Sequence, residues 1–221
     1  TVNIKWVDSE TVTSENVEEI LGDVSGILVP GGFGDRGIEG MISVASYARQ
    51  KQIPYLGICL GMQIAAIAFA RGALGLKDAN SFEFDPQSKH TIIDFMEDQS
   101  NDIRKGGTMR LGSYPCSLRA DTNIWSCYKK DMIDERHRHR YEFNNEYRSE
   151  FERNDMMIVG TSPDKQLVEA IEYKNHPFYI GVQYHPEFKS RPNRPHPLFV
   201  GLVKASLENR EGAVTDKEVS A

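Results

Sequence analysis

The predicted fold rests on the stretch Ile53-Pro-Tyr-Leu-Gly-Ile-Cys-Leu-Gly-Met-Gln63. An apolar run typical of a buried strand leads through G-x-C-x-G directly into a helix, which we predict over residues 62–71. This pattern is the thiol counterpart of the nucleophile elbow, a strained turn that exposes its central side chain. Cys59 would lie at a helix N-terminus, where the helix dipole favours the thiolate. Cys59 is therefore the candidate nucleophile, and a buried packing cysteine is the alternative.

On both sides of this turn, short apolar runs alternate with helical patterns. The alternation predicts an α/β fold with a mainly parallel central sheet flanked by helices. The predicted strands are residues 2–7, 26–29, 53–58, 109–119, 135–143, 156–160, 167–172 and 178–184. The predicted helices are residues 14–21, 37–50, 62–71 and 199–207. Residues 97–107 read as an exposed loop, and 135–143 belongs to a more antiparallel region. We predict one domain, residues 1–208, followed by a polar C-terminal tail, residues 209–221, with a composition typical of disordered ends.

Charge, cysteine spacing and the length of the apolar runs argue against several classes of protein. The chain has 221 residues and a formal net charge of −6, which argues against a nucleic-acid partner. Its three cysteines, Cys59, Cys116 and Cys127, form no C-x-x-C pair, so neither a disulfide framework nor a metal site is predicted. The longest apolar run, residues 64–70, is far shorter than the ~18 residues of a membrane span. We predict a cytoplasmic protein without a membrane partner.

A candidate base follows the last predicted strand. His185 stands in Tyr-His-Pro-Glu, and residues two apart in an extended chain point to the same side. His185 and Glu187 would therefore project together, with the carboxylate orienting an imidazole that takes the thiol proton. His137 and His139, in Glu-Arg-His-Arg-His-Arg, are alternative bases or metal ligands. Alternation would put both imidazoles on one face of a strand and the arginines on the other.

Thioester formation also needs hydrogen-bond donors for a developing oxyanion. The elbow supplies one in the N–H of Leu60, the residue after the nucleophile. A glycine-rich turn, Pro-Gly-Gly-Phe-Gly at residues 30–34, follows a neighbouring predicted strand and suits the second donor. A phosphate-binding loop and a plain tight turn stay open for this segment, although it lacks the full G-x-G-x-x-G spacing.

Three of these motifs, residues 30–34, 57–63 and 184–187, together resemble the class I (triad) glutamine amidotransferases. Three further stretches are similar to the glutaminase domain of the CTP synthase family: residues 78–84, 106–112 and 135–141. The similarity runs from about Val2 to Leu207. It implies the flavodoxin-like fold of class I glutamine amidotransferases.

The resemblance implies a role for each matching residue. Cys59 would attack the side-chain amide of L-glutamine to give a γ-glutamyl thioester and ammonia, with His185 and Glu187 completing the triad. The oxyanion donors would be Gly32 and Leu60. Glu83 would hold the α-ammonium group of glutamine, and Arg140 its α-carboxylate, by charge-assisted hydrogen bonds. The residues lining the pocket would be Gly32, Leu60, Gly61, Met62 and Gln63.

The resemblance also implies a larger protein. In that family a synthase (amidoligase) domain of the same polypeptide uses ATP and magnesium to aminate UTP to CTP, with GTP as activator, and the whole enzyme is a homotetramer. No cofactor is expected in the glutaminase domain itself. Because this synthase domain is absent from the sequence, the resemblance implies that the chain is a fragment. The family domain also normally has a further strand and helix before the segment that begins at Val2. The alternatives are another class I amidotransferase, a γ-glutamyl hydrolase, and a non-catalytic glutamine-binding regulatory module.

Overall fold

The computed structural model describes residues 1–95 and 109–219, with side chains described through residue 210. The strands in these ranges, in chain order, are β1 (Ile27–Val29), β2 (Tyr55–Ile58), β3 (Asn80–Ser81), β4 (Thr91–Phe95), β5 (Arg110–Leu118), β6 (Met132–His139), β7 (Tyr141–Phe143), β8 (Met156–Thr161), β9 (Val168–Tyr173) and β10 (Tyr179–Val182). The helices are α1 (Val17–Leu21), α2 (Ile38–Gln50), α3 (Leu60–Ala73), α4 (Asn123–Tyr128), α5 (Arg148–Arg153) and α6 (Pro197–Val219).

A seven-stranded sheet in the order β1-β2-β10-β9-β8-β5-β6 forms the centre of the molecule. Its first three strands are parallel, with Val29 opposite Gly57 and Gly57 opposite Gly181. We call these strands the parallel half. Because carboxyl ends of parallel strands gather at one edge, the segments that follow β1, β2 and β10 meet there. Those segments carry the glycine-rich turn, Cys59 and His185.

The remaining pairs in the sheet, from β10 through β9, β8 and β5 to β6, are all antiparallel. We call β5, β6, β8 and β9 the antiparallel half. The connections from β8 to β9 and from β9 to β10 are short, and only antiparallel neighbours can be joined in that way. The predicted α/β architecture, a central sheet flanked by helices, is confirmed, and the sheet is mixed in direction. A smaller sheet, in the order β3-β4-β7, packs beside it.

Helix α3 is the centre of the apolar core, because every residue from Leu60 to Ala70 is buried. A helix that is apolar all round has to be enclosed by protein, and α3 packs on α2, β2 and β10. Tyr55 and Tyr179 stack below it with ring centroids 4.6 Å apart. The hydroxyl of Tyr55 donates to the carbonyl of Gly61 at 2.8 Å, which fixes the first turn of α3 to the sheet. Full burial of side chains of this size is worth about 2–3 kcal/mol each.

Two sequence predictions about individual elements are wrong. Residues 2–7 form no strand: Ile4 is 70% exposed and Trp6 88% exposed, and no described strand pairs with them. An isolated apolar-polar alternation is not sufficient, since a strand needs a partner for its backbone groups. The predicted strand 135–143 is divided at Arg140, because β6 stays in the large sheet while β7 pairs with β4.

Other boundaries differ by a few residues, and α6 continues well beyond the predicted end at residue 207. The predicted loop at residues 97–107 lies outside the described residues. The domain limits, 1–208 with a tail at 209–221, stay a prediction. Even the longest of the described helices lacks a stretch apolar enough to cross a bilayer.

Candidate active site

Cys59 occupies a strained turn between β2 and α3. Its backbone angles, φ 50° and ψ −102°, lie in a region that side chains rarely adopt, at a typical cost of about 1–3 kcal/mol. The strain is held in place by the sheet, because the N–H of Cys59 donates to the carbonyl of Val182 at 2.7 Å. The structure therefore has the elbow geometry that the sequence pattern predicts.

The two glycines of G-x-C-x-G are required by backbone crowding. A Cβ atom at Gly61 would lie 2.2 Å from the carbonyl oxygen of Val29, and one at Gly57 would lie 2.4 Å from the carbonyl oxygen of Gly61. Both contacts are with backbone atoms that cannot move aside without displacing β1 or α3. The absence of side chains at both positions lets the end of β1 cross directly over the elbow.

His185 and Glu187 lie at the end of β10, facing the elbow. The His185 Nδ1 and Glu187 Oε1 atoms are 2.6 Å apart, a short charge-assisted contact. The imidazole is only 7% exposed, and its face stacks on the ring of Phe188 with centroids 4.7 Å apart. The carboxylate thus fixes the ring orientation and leaves Nε2 directed away from Glu187.

The side chains of Cys59 and His185 both lie next to Gly31. An ideal Cβ atom at Gly31 would lie 2.8 Å from Cε1 of His185 and 3.4 Å from Cβ of Cys59. Burial disfavours the charged imidazole, but the Cys59 thiol and the Glu187 carboxylate outweigh it and raise the pKa of His185 to about 9. Nε2 of His185 has no hydrogen-bond partner among the described residues. The arrangement places a base with a raised pKa next to the candidate nucleophile, as covalent catalysis requires.

The glycine-rich turn brings Gly32 next to Leu60. A Cβ atom at Gly32 would lie 3.0 Å from Cδ2 of Leu60. Leu60 is the first residue of α3, so its N–H has no partner within the helix. The N–H of Gly32 makes no hydrogen bond to a residue in the described ranges. Two backbone donors are therefore available next to the turn that carries Cys59, the candidate nucleophile, and an oxyanion hole would need such donors.

Glu83 and Arg140 place opposite charges close enough to influence each other. The Glu83 carboxylate accepts a hydrogen bond from the Gly34 N–H at 3.4 Å. Burial raises the pKa of Glu83, and the Gly34 N–H and the Arg140 charge counteract part of that effect. The pKa of the Tyr141 hydroxyl responds to the same two charges. Burial and Glu83 raise this pKa, and Arg140 lowers it. Arg140 itself is exposed, between β6 and β7.

The other residues that the resemblance placed in the pocket face inward. Met62 is fully buried, and a Cβ atom at Gly181 would lie 3.0 Å from its Cγ. The side-chain amide of Gln63 donates to the carbonyl of Tyr141 and to Oε1 of Gln183, both at 3.3 Å. Met62 and Gln63 would therefore contribute backbone atoms to a glutamine pocket. Their side chains pack beneath the turn at Cys59.

Sequence reasoning missed Gln183, which is fully buried and lies beside Cys59. Its Nε2 atom is 3.7 Å from the sulfur of Cys59, and the carbonyl oxygen of Arg138 lies 4.0 Å from that sulfur on another side. A signal was present in the sequence. Gln183 precedes His185 by two residues, so the alternation that aligned Glu187 with His185 also aligns Gln183 with it.

His137 and His139 belong to a buried cluster of charged groups in the antiparallel half. The two imidazoles face inward and contact each other, with 2.8 Å between Nδ1 of His137 and Nε2 of His139. Burial and Arg110 lower the pKa of His137 to about 2 and that of His139 to about 3, so both rings are neutral. The neighbouring arginines of β6 are exposed, which agrees with the predicted alternation.

Arg110 is the cation of this cluster. Its guanidinium lies 2.7 Å from Glu169 and 3.6 Å from Glu142, and all three side chains are almost completely buried. Burial raises the pKa of both carboxyl groups, and Arg110 opposes that shift. Among the described residues, no three histidine, cysteine or carboxylate side chains are arranged to hold a metal ion. The cluster is an internal ion pair rather than a metal centre.

Comparisons with known proteins agree with this site. The family model "Glutamine amidotransferase class-I" matches residues 1–205. The chain belongs to the class I glutamine amidotransferase family and is a glutamine-hydrolysing domain of that class. Within the family it is similar to the CTP synthase of Clostridium acetobutylicum, with 57% identity over 210 residues, and to that of Bacillus thuringiensis, with 55% identity over 210 residues. These alignments cover 95% of the chain and 39% of each relative, so the chain spans less than half of their length.

A solved structure supports the same relationship. The chain is similar to the glutaminase domain of Trypanosoma brucei CTPS with bound acivicin, at a TM-score of 0.90 and 34% sequence identity. The superposition covers 94% of this chain and 81% of that domain. The resemblance inferred from the sequence motifs is thereby confirmed for the fold and the family.

Proposed function

We propose that Cys59, His185 and Glu187 hydrolyse L-glutamine to glutamate and ammonia. The observation that carries the proposal is the strained Cys59 turn, placed with the His185–Glu187 pair (2.6 Å) at one edge of the parallel half. Such a set has the three parts that covalent acyl transfer requires: a nucleophile, a base and a group that orients the base. The alternative is a module that binds glutamine without turnover. Such a module would not need a strained backbone at Cys59.

In the proposed mechanism, the Cys59 thiolate attacks the side-chain amide carbon of glutamine. The N–H groups of Gly32 and Leu60 stabilise the oxyanion of the tetrahedral intermediate. The His185 imidazolium then gives its proton to the departing nitrogen, which leaves as ammonia while the γ-glutamyl thioester forms. Water, deprotonated by the now neutral His185, attacks the thioester to release glutamate and restore the thiol.

Recognition of the amino-acid part of glutamine would fall to Glu83 and Arg140. The α-ammonium group needs an anionic partner and the α-carboxylate a cationic one, and the two side chains supply these charges at one opening. The backbone of Gly32, Leu60, Gly61, Met62 and Gln63 would form the wall of the pocket. We propose that this wall selects the length of the side chain that reaches Cys59.

We propose further that the ammonia is used in a longer protein of the CTP synthase type. Its synthase domain would aminate UTP to CTP with ATP and magnesium, GTP would activate the reaction, and the enzyme would act as a cytoplasmic homotetramer. The support is the 55–57% identity to relatives that are more than twice as long as the aligned region. No cofactor is proposed for the glutaminase domain itself.

Glutamate release by the wild-type chain and by Cys59→Ala tests the glutaminase proposal. Loss of a nucleophile typically removes about 10⁴–10⁶ of the rate, so the variant should show no turnover above background. The matched control is Cys127→Ala, which removes a cysteine far along the chain on α4 and should keep wild-type turnover. Residual turnover in Cys59→Ala within tenfold of wild type, an explicit threshold of roughly 1.4 kcal/mol, would overturn the proposed role.

The larger proposal has a separate test in the full-length protein. There, Cys59→Ala should abolish CTP formation from UTP, ATP and glutamine while CTP formation from added ammonia continues. Ammonia bypasses the nucleophile, so only the glutamine-dependent reaction needs Cys59. Absence of CTP formation with either nitrogen source in the wild type would contradict the synthase assignment and leave the glutaminase proposal intact.

A further inference from the structure

Two buried side-chain amides, those of Gln63 and Gln183, link the backbone carbonyl of Tyr141 to the sulfur of Cys59. The carbonyl of Tyr141 accepts from Nε2 of Gln63 at 3.3 Å, and the same nitrogen donates to Oε1 of Gln183 at 3.3 Å. Nε2 of Gln183 then lies 3.7 Å from the Cys59 sulfur. Gln63 is 4% exposed and Gln183 is completely buried, so water does not compete for these contacts.

The direction of this chain is fixed at its far end. A backbone carbonyl can only accept, so the amide of Gln63 has to present its NH₂ group to Tyr141. The same NH₂ group meets Gln183, which must therefore present its oxygen to Gln63. The NH₂ group of Gln183 is left pointing at the sulfur. A reversed Gln183 amide would set two NH₂ groups against each other and an oxygen against the sulfur.

We propose that Gln183 is a further catalytic residue, whose side-chain N–H stabilises the Cys59 thiolate, and that Gln63 is a positioning residue that holds Gln183 in the donating orientation. A thiolate accepts a hydrogen bond more strongly than a thiol does, so a donor fixed beside the sulfur favours the reactive form. The proposal deepens the proposed glutaminase function and rests on Cys59 being its nucleophile.

The position of Gln183 in the chain supports this role. It stands two residues before His185, and its backbone N–H donates to the carbonyl of Glu169 at 2.9 Å, which keeps this segment aligned beyond β10. Gln183 and His185 thus approach the sulfur from one segment, which directly follows β10. Tyr141 is adjacent to Arg140, so the amide chain also joins the proposed carboxylate-binding residue to the nucleophile.

The test is the pH dependence of Cys59 alkylation by iodoacetamide, read by mass spectrometry of the Cys59 peptide in the full 221-residue chain. This readout reports the thiolate and needs no glutamine turnover. In Gln183→Met, a change of similar volume without a donor, the midpoint of the alkylation profile should move to higher pH. The alkylation rate at neutral pH should fall about tenfold, the scale of one lost charge-assisted hydrogen bond.

Gln63→Met tests the same claim from the other end of the amide chain. This variant keeps Gln183 but removes the hydrogen bond that orients its amide. The midpoint of the alkylation profile should therefore move in the same direction by a smaller amount. This variant keeps the test decisive if Gln183→Met does not fold, which thermal denaturation will reveal. The matched control is Tyr184→Phe, an equally buried neighbour whose hydroxyl bonds to Tyr128 on the opposite side of the strand. Its alkylation profile should match wild type.

An unchanged alkylation midpoint in folded Gln183→Met and Gln63→Met would overturn the inference, because a purely structural role lowers stability without moving the profile. That result is distinct from failure of the proposed function. If Cys59→Ala still released glutamate, the nucleophile assignment would fall whatever the alkylation profiles of the glutamine variants showed.

Discussion

The parallel and antiparallel halves of the sheet both bring ionisable side chains together, but in different ways. In the parallel half, the catalytic candidates lie on segments just beyond the strand ends, and backbone strain at Cys59 exposes the sulfur to the other groups. The second group lies between the antiparallel half and β7, where the side chains of Arg110, Glu142 and Glu169 are buried against one another. We expect the charges at the strand edge to act in chemistry and the enclosed charges to stabilise the structure.

Because of this difference, mutations in the two halves should change different measured quantities. Changes beyond the parallel strands should act on turnover, on substrate affinity and on pH dependence. Changes in the buried cluster should act on the free energy of unfolding. The four predictions that follow compare the two halves in order of decreasing effect.

The largest effect is expected from Arg110→Met in the antiparallel half. The substitution leaves Glu142 and Glu169 buried without their cation, and removal of one partner from a buried pair typically costs about 3–5 kcal/mol. Urea denaturation followed by circular dichroism will measure the loss in the free energy of unfolding. The matched control is Arg36→Met, because the Arg36 side chain is 84% exposed in its pair with Glu10 and should lose no more than about 1 kcal/mol. Equal losses would contradict the distinction between the halves.

The next effect concerns the elbow of the parallel half. In Gly61→Ala, the new methyl group would lie 2.2 Å from the Val29 carbonyl, so the end of β1 and the start of α3 must separate. Displacing the nucleophile by about 1 Å should lower turnover by about 10²-fold or more. A glutaminase assay, paired with thermal denaturation, separates this loss from unfolding. Gly75→Ala offers a comparison outside the site, because an added Cβ there meets no atom within 4 Å. It should keep turnover near wild type despite some backbone strain.

A smaller effect, confined to substrate affinity, is expected from Arg140→Gln. Removing the proposed partner of the α-carboxylate should raise KM about 10–100-fold with a lesser change in kcat, as for loss of one charge-assisted hydrogen bond. Arg136→Gln is the control, since Arg136 is also exposed on β6 and has no proposed contact with glutamine. If both variants bind glutamine equally well, Arg140 does not hold the carboxylate.

The smallest effect should be a shift in pH dependence in Glu187→Gln. Glu187 and Cys59 raise the pKa of His185 to about 9 against the effect of burial, so the imidazolium is present below that pH and lost above it. Without the carboxylate, His185 will lose its proton at lower pH. The alkaline limb of the kcat profile should therefore move down by about one pH unit, with a partial loss of rate at neutral pH. An unmoved or raised alkaline limb would argue against a proton donor oriented by Glu187.

Much of the candidate site could be predicted from the sequence because its parts are local. The elbow needs only a strand, two glycines and a helix start. His185 and Glu187 are also close in the chain, although a 3-10 turn over Pro186–Phe188, and not the predicted extended chain, brings their side chains together. The alternation that placed His137 and His139 inside and the arginines outside is likewise a property of a single strand. Family resemblance added the pairing of Glu83 with Arg140, which local patterns do not contain.

The sequence by itself thus determined the Cys59 turn, the strands and helices immediately around it, and the family, whereas β3, β4, α4 and α5 were not predicted. Only the tertiary structure decided the direction of the outer strands, the failure of residues 2–7 to form a strand, the enclosure of Arg110 between two carboxylates, and the amide chain from Tyr141 to Cys59. The physical reason is that strand pairing, burial and amide orientation each depend on groups that are distant in the chain. A local sequence pattern predicts the direction in which a side chain points, whereas the residue that it contacts depends on how distant segments of the chain pack together.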